Sequence, residues 1–345
     1  MNAPDGFVGS DHGLWAQRIA GLSKTQAAEL ARRARHAPLF MHAYSLHLNF
    51  RFGDFKPIDL LDFAAEQKLI GVKIHVEDGE EANSLLTASD KTRAAFADHA
   101  RALGLKVHIE TSSTALGDLE AAIEVARAVG GVSVRSYPRY EAHVSEIIAR
   151  TIDDLKALSR LDPEGKLLFT LEQHEDLNST DLVGIVEAVG NPRLSLLFDF
   201  GNMINAYERP LEALRIQAPH VTEVHVKDCH VVPDRGGWAQ TGCISGTGDL
   251  PFADLLVELL LLGRDEPQVT ALALEEEVDY HAPAMRFPDE TDDPFIPFRT
   301  ASLTPFDVAT LPERMARERQ EALGQIITVR GLLQEIENLA LEVAR

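Results

Sequence analysis

The sequence predicts an α/β chain folded as a single (β/α)8 TIM barrel over residues 1–345, and three observations predict it. Eight short apolar runs begin near Leu39, Val72, Leu105, Val132, Leu167, Leu194, Val221 and Val269. A helical pattern separates most of them, and a glycine sits at most seams where helix gives way to strand. Strict strand–helix alternation builds a parallel sheet, and eight such units close it into a barrel. An open doubly wound sheet would carry a glycine-rich phosphate turn after its first strand, and "HAYSLHLNFRFG" has none.

The elements follow in order. Residues 11–36 read as a helix ahead of the first strand, placed to cap the barrel bottom. "PIDLLDFAAEQKLI" has apolar residues at helical spacing behind Pro57, a good first helical residue. Gly71 then reads as the helix stop before "VKIHVED". The same unit recurs as "TRAAFADHARAL", Gly104, "LKVHIETSS", and as "LEAAIEVARAV", Gly130–Gly131, "VSVRSYPR". It recurs again as "DLVGIVEAV", Gly190, "RLSLLFDFGN", and as "FADLLVELLLL", Gly263, "VTALALEEEV". Glycine suits these stops because the left-handed conformation costs it least. Residues 281–307 hold five prolines without periodicity and read as a long loop after the eighth strand. Residues 308–345 read as a C-terminal helical segment that closes the ring.

Composition narrows the function. Lys and Arg number 33 against 54 Asp and Glu, a net charge of −21, so a nucleic-acid backbone is repelled by the surface as a whole. Cys229 and Cys243 form neither a disulfide framework nor a CxxC motif, and read as reduced thiols. No basic-then-apolar leader opens the sequence, and no apolar run reaches the ~18 residues of a membrane span. The expected location is the cytoplasm. A homodimer is expected from the proline-rich loop, which is long enough to reach a neighbour.

In such a barrel the chemistry sits at the C-terminal ends of the strands. The fifth run ends in Glu172 and His174, the sixth in Asp199 and Asn202, the seventh in His225 and Lys227, the eighth in Glu275, Glu276 and Glu277. Alternation sorts them: Val224, Val226, Leu272 and Leu274 face the helices, while His225, Lys227, Glu275 and Glu277 face inward. Glu172, Asp199, His225 and Glu275 then converge from four successive strands. Three carboxylates cannot converge unpaired, and a divalent cation resolves their repulsion. Three oxygens and one imidazole suit Mn²⁺ first, then Mg²⁺, Co²⁺ or Zn²⁺. Such an ion stabilises the enediolate formed when a proton leaves the carbon beside a carbonyl, with a glutamate as base. His174, His108, Glu110 and Arg135 are expected substrate contacts, with Asn202, Lys227 and Glu277. Asp228 reads as a turn residue, and Glu275 and Glu277 compete for the last ligand position.

Five segments, "LEQH" at 171–174, "FDFGN" at 198–202, "HVKD" at 225–228, "GTGDLPFADLL" at 246–256 and "ALALEEE" at 271–277, resemble the xylose-isomerase-like superfamily of sugar phosphate isomerases and epimerases. The resemblance implies that Glu172, Asp199, His225 and Glu275 are metal ligands and that Glu172 and Glu275 shuttle the proton. One position departs from the ketose 3-epimerase branch, which carries a histidine where this chain has Asn202. "HVKD" is similar instead to inosose-dehydratase-like members. The resemblance therefore implies a metal-dependent isomerase or epimerase, with a dehydratase or decarboxylase as rival. An endonuclease-IV-type nuclease ranks below both, and the implied partner is a small carbohydrate-like substrate.

Overall fold

The computed structural model describes residues 13–79, 83–297 and 308–345. Eight parallel strands form a closed barrel: β1 (Leu39–His42), β2 (Gly71–His75), β3 (Lys106–Glu110), β4 (Ser133–Ser136), β5 (Leu168–Glu172), β6 (Leu194–Asp199), β7 (Val221–Val226) and β8 (Ala271–Leu274). Each pairs with its sequence neighbours, and β8 closes the ring on β1 through Leu39↔Leu272 and Met41↔Leu274. A helix follows every strand, from Pro57–Glu66 after β1 to Leu311–Ala344 after β8. Val72, Ile74, Val107, Ile109, Leu196, Phe198, Val224, Val226, Leu272 and Leu274 are buried in the layer between sheet and helices. Among the described residues no helix is long and apolar enough to cross a membrane.

Gly104, Gly130 and Gly190 end their helices in the left-handed conformation, at φ 70°, 73° and 61°. Gly71 does not. Its helix stops at Glu66, Lys68 takes the positive φ of 53°, and Gly71 is the first residue of β2. A Cβ there would run into the Phe40 ring and the Lys106 carbonyl, so glycine serves close strand packing.

Within residues 11–36, the described part from residue 13 onward is not one helix. Trp15–Ala20 and Lys24–Arg35 are split by a turn, and Ser23 forms a capping box with Gln26 that starts the second. That helix lies between two neighbours of the outer ring. Arg35 pairs with Glu337 of the C-terminal helix at 2.5 Å, and the Arg33 guanidinium donates to the Leu260 and Leu262 carbonyls at the end of helix Phe252–Leu261.

The stretch after β8 is also more ordered than its prolines suggest. His281–Ala282 pairs with a hairpin, Asp228–Asp234 and Gly237–Cys243, that follows β7 and went unread in the sequence. Phe295–Ile296 pairs with Ala142–His143 beyond β4, so the segment straps across the barrel mouth. The rest of that loop, 298–307, lies outside the described residues.

Candidate active site

Backbone register brings the strand ends together. Asp199 on β6 sits opposite His225 on β7, and Ala273 on β8 sits opposite His225 from the other side. Glu172 ends β5, and Glu275 follows β8 with its N–H bonded to the Val226 carbonyl. His225 Nδ1 is 3.2 Å from Glu172 Oε1, 3.4 Å from Glu275 Oε2 and 3.6 Å from Asp199 Oδ2. Glu172, Asp199 and His225 offer ligand atoms that all lie within 4.8 Å of one another, as donors around one ion do, and Glu275 adjoins this trio through His225. Asp199 Oδ2, Glu275 Oε2 and His225 Nδ1 are buried without hydrogen-bond partners, and all three belong to this cluster. Buried polar atoms are ordinarily satisfied, so a ligand set fits what is otherwise a costly arrangement.

The backbone explains why those atoms point inward. Asp199 Oδ1 accepts the N–H groups of Gly201 and Asn202 at 2.8 and 2.9 Å, which turns Oδ2 to the centre. His225 Nε2 bonds Glu110 Oε1 at 3.0 Å, which leaves Nδ1 for the cluster. Glu110 is itself fixed from three sides. His42 Nε2 meets its Oε2 at 2.8 Å, Arg135 Nη2 at 2.5 Å, and Lys73 Nζ stands 3.4 Å from Oε1. A carboxylate behind a ligating histidine is a common way to set the ring's tautomer and aim.

Burial opposes every charge here, and neighbours decide the outcome. It would raise Glu172, but Arg135 and then His225 hold that carboxyl at about 2. Arg135 Nε lies 2.9 Å from Glu172 Oε2, close enough to pair but out of line for a hydrogen bond. Burial would also raise Asp199, and Lys227 followed by His225 pulls it below the usual range. Burial lifts Glu275 well above that range, with Glu277 adding to it. Burial works against an imidazolium at His225, yet Glu275, Glu172 and Glu110 raise it well above an ordinary histidine. His42 drops to about 4 through burial.

Glu275 and Glu277 separate by geometry. Glu275 reaches His225, whereas Glu277 Oε2 is held by Lys227 Nζ at 2.8 Å. The same ammonium stands 3.1 Å from Asp199 Oδ2 and donates to Asn202 Oδ1 at 3.1 Å. Asn202 Nδ2 in turn donates to Glu172 Oε1 at 3.3 Å. Glu276 faces away and accepts the Ser245 N–H and hydroxyl at 2.9 and 2.5 Å. Asp228 holds the "GTG" loop by accepting the N–H groups of Gly246 and Gly248, but it is buried, where a helix N-cap or a solvated turn residue was expected.

Glu172 and Glu275 of the cluster line a cavity of about 340 Å³ together with Arg135, His174, Asn202, Lys227 and Glu277, while Asp199 and His225 are not among its lining residues. His108 is the exception among the expected contacts. It lies two residues before the end of β3 and is turned into the barrel below the cavity, with Nδ1 3.1 Å from Glu223 Oε2 and its ring against Phe40. His42, Tyr44, Asp78, Tyr137 and Tyr280 also line the cavity and went unassigned in the sequence. "LFMH" at the end of β1 carried the signal for His42, an inward polar residue at a strand terminus.

A model of the xylose isomerase-like TIM barrel family matches residues 61–271. The chain belongs to that family. It is 48% identical over 315 residues to YihM, an uncharacterized protein of Escherichia coli (strain K12), covering 91% of this chain and 96% of the other. A shorter stretch of 84 residues, 24% of this chain and 30% of the relative, is 33% identical to 3-oxo-isoapionate decarboxylase of Pectobacterium atrosepticum. The structure of D-allulose 3-epimerase from Methylomonas sp. in complex with D-allulose aligns with TM-score 0.53 at 17% identity, over 70% of this chain and 84% of that one. At that identity the likeness is one of fold, and function is argued from the site.

Proposed function

We propose that this family member is a divalent-metal-dependent enzyme that moves a proton at the carbon beside a carbonyl, isomerising or epimerising a small polyhydroxy substrate through an enediolate. One observation carries the reading: Glu172, Asp199 and His225 crowd their ligand atoms within 4.8 Å of one another, and Asp199 Oδ2, His225 Nδ1 and the adjoining Glu275 Oε2 are buried without hydrogen-bond partners. Glu172, Asp199, His225 and Glu275 would hold the ion, and Glu277, tied to Lys227, stays outside the ligand set. The donor set suits Mn²⁺ first. When bound, the ion supplies the charge that stabilises the enediolate oxygens. Glu172 and Glu275 flank β6 and β7 from either side, so a substrate between them presents a face to each. That placement suits removal of a proton by one carboxylate and its return by the other. His174, Asn202, Lys227 and Arg135 would orient the substrate's oxygens.

Lyase chemistry is the second reading, favoured by Asn202 and by the partial match to a decarboxylase. The same enediolate can expel a hydroxyl group or arise by loss of CO₂.

The deciding experiment is proton NMR of the Mn²⁺- or Mg²⁺-loaded enzyme in D₂O with ketoses, ketonic sugar acids and inososes. The Mg²⁺ form keeps the lines sharp. Deuterium at the α-carbon with the skeleton intact establishes isomerase or epimerase chemistry, and loss of water or CO₂ moves the enzyme to the lyases. Glu172→Gln is expected to lower metal content and turnover together; full metal loading in that variant would remove Glu172 from the ligand set.

A further inference from the structure

We propose that a cavity on the underside of the barrel, at the strand ends away from the carboxylate cluster, binds a small carboxylate with an apolar body. The inference is independent of the chemistry proposed for the mouth.

The strand starts place this cavity. Lys106 opens β3, whose other end is Glu110, while Pro38 precedes β1 and Val269 and Thr270 precede β8. With Leu272 and the ends of helices Lys24–Arg35 and Phe252–Leu261 they line about 290 Å³ of space. That approaches the ~300–1,000 Å³ typical of small-molecule sites. The lower face of such a barrel ordinarily serves stability, so catalysis at the mouth does not account for a cavity there.

One side of the cavity is held in place from within. Arg33, 4% exposed, donates to the carbonyls of Leu260, Leu262, Gly263 and Arg264 and pairs with Glu29 at 2.6 Å. Those bonds fix the turn after helix Phe252–Leu261. Gly263 makes that turn at φ 89°, where a Cβ would strike the Glu266 carbonyl. The wall is therefore preformed, and little ordering is left for a ligand to drive.

The lining divides by chemistry. Leu259, Leu260, Pro267, Val269 and Leu272 supply apolar surface, and Arg32, His36 and Lys106 supply donors. Arg32 is already engaged by Glu29 at 2.8 and 2.6 Å, and Glu266, the acid among the lining residues, acts on the same guanidinium. Lys106 and His36 are exposed, and among the described residues neither side chain has a hydrogen bond or an ion pair. The Lys106 ammonium thus stands uncompensated beside apolar walls, in a chain of net charge −21. An imidazole adds an N–H donor in either protonation form. A neutral apolar molecule would leave that charge unused, and a bare anion would leave the walls wet. A ligand with one anionic end and a hydrocarbon body satisfies both.

The test titrates octanoate, acetate and octan-1-ol into the Mg²⁺-loaded protein by calorimetry. Octanoate is expected to bind at one site per chain. Each buried methylene contributes about fourfold, so three of them place octanoate about fiftyfold or more above acetate. The carboxylate is expected to add about fivefold over octan-1-ol. Lys106→Gln should bring that preference within about twofold at unchanged octan-1-ol affinity, with thermal melting showing the variant folded. No octanoate binding, or octanoate no tighter than acetate or octan-1-ol, overturns the site. So does a preference unaltered in Lys106→Gln, because the ion or the cations of the mouth then hold the carboxylate.

Discussion

Replacing Glu110 by glutamine tests whether the carboxylate beneath His225 sets the site. Glu110 is fully buried, and its two oxygens face His225 Nε2 at 3.0 Å, His42 Nε2 at 2.8 Å and Arg135 Nη2 at 2.5 Å. His42 Nδ1 accepts the Tyr44 N–H at 3.0 Å, so its Nε2 bears the proton and Glu110 receives N–H groups on both sides. An amide keeps the shape but has one acceptor oxygen where the carboxylate has two. Its NH₂ must then face a donor, and either His225 changes tautomer, placing the proton on Nδ1, or a buried N–H goes unmet. A hydrogen bond to a charged group is worth about 1.5–3 kcal/mol, which corresponds to roughly 10–100-fold in metal affinity through the histidine. Calorimetric titration of Mn²⁺ into both proteins reads the loss, and the Co²⁺ absorption spectrum reports whether the imidazole still coordinates. Breaking a buried ionic network also costs stability, about 3–5 kcal/mol, so thermal melting must first show a folded variant. Wild-type Mn²⁺ affinity in folded Glu110→Gln would refute the reasoning.

Three further outcomes are expected. Burial raises Glu276 to about 7, so the folded state keeps a proton that the unfolded chain has lost; its contribution is complete below about 4.5 and fades as pH rises through 7. Glu276→Gln should therefore gain on wild type by up to about 3 kcal/mol in urea unfolding between pH 5 and pH 8, and a pH-independent difference would contradict the assignment. A Cβ on Gly242 would collide with the Glu277 carbonyl oxygen, so Gly242→Ala should cost about 1–3 kcal/mol by thermal melting and disturb Lys227 through Glu277. In the ion-free site His225 and Glu275 are both pushed toward their protonated forms, so Mn²⁺ binding should release protons and strengthen as pH rises. Titration in buffers of different ionisation heat counts those protons, and a count of zero would contradict the directions given for both residues.

The eight-strand order was readable because the strands' outward faces are apolar at period two and three of the intervening helices end at a left-handed glycine, Gly104, Gly130 and Gly190. Leu272 and Leu274 against Glu275 and Glu277 show it: the parity that buries the leucines outside the sheet turns the glutamates inward. Gly71 misled because a glycine between helix and strand has two physical reasons to be there. Left-handed backbone and close packing look the same in one dimension, and Phe40, 31 positions away, decides between them. The hairpin after β7 was hidden for a related reason. Val231, Ala239 and Cys243 are buried against elements whose position the local pattern does not encode.

The polar interior was the least legible part, because an inward-facing charge announces its direction but not its partner. His108 and Glu110 share one face of β3 and differ by one layer of the barrel, yet one faces Glu223 and the other His225. Lys73, buried between Glu223 at 2.7 Å and Glu110 at 3.4 Å, links the two layers. Neither acid could stay charged at that depth alone, and the lysine's ammonium compensates both at once. The upper layer then has Glu110 as an anion that needs no proton of its own. Only an anion can accept from His42, Arg135 and His225 together; against burial, Arg135, then His42 and His225, hold Glu110 in that form, and Lys73 on β2, which never reaches the cavity, adds to them from the layer below.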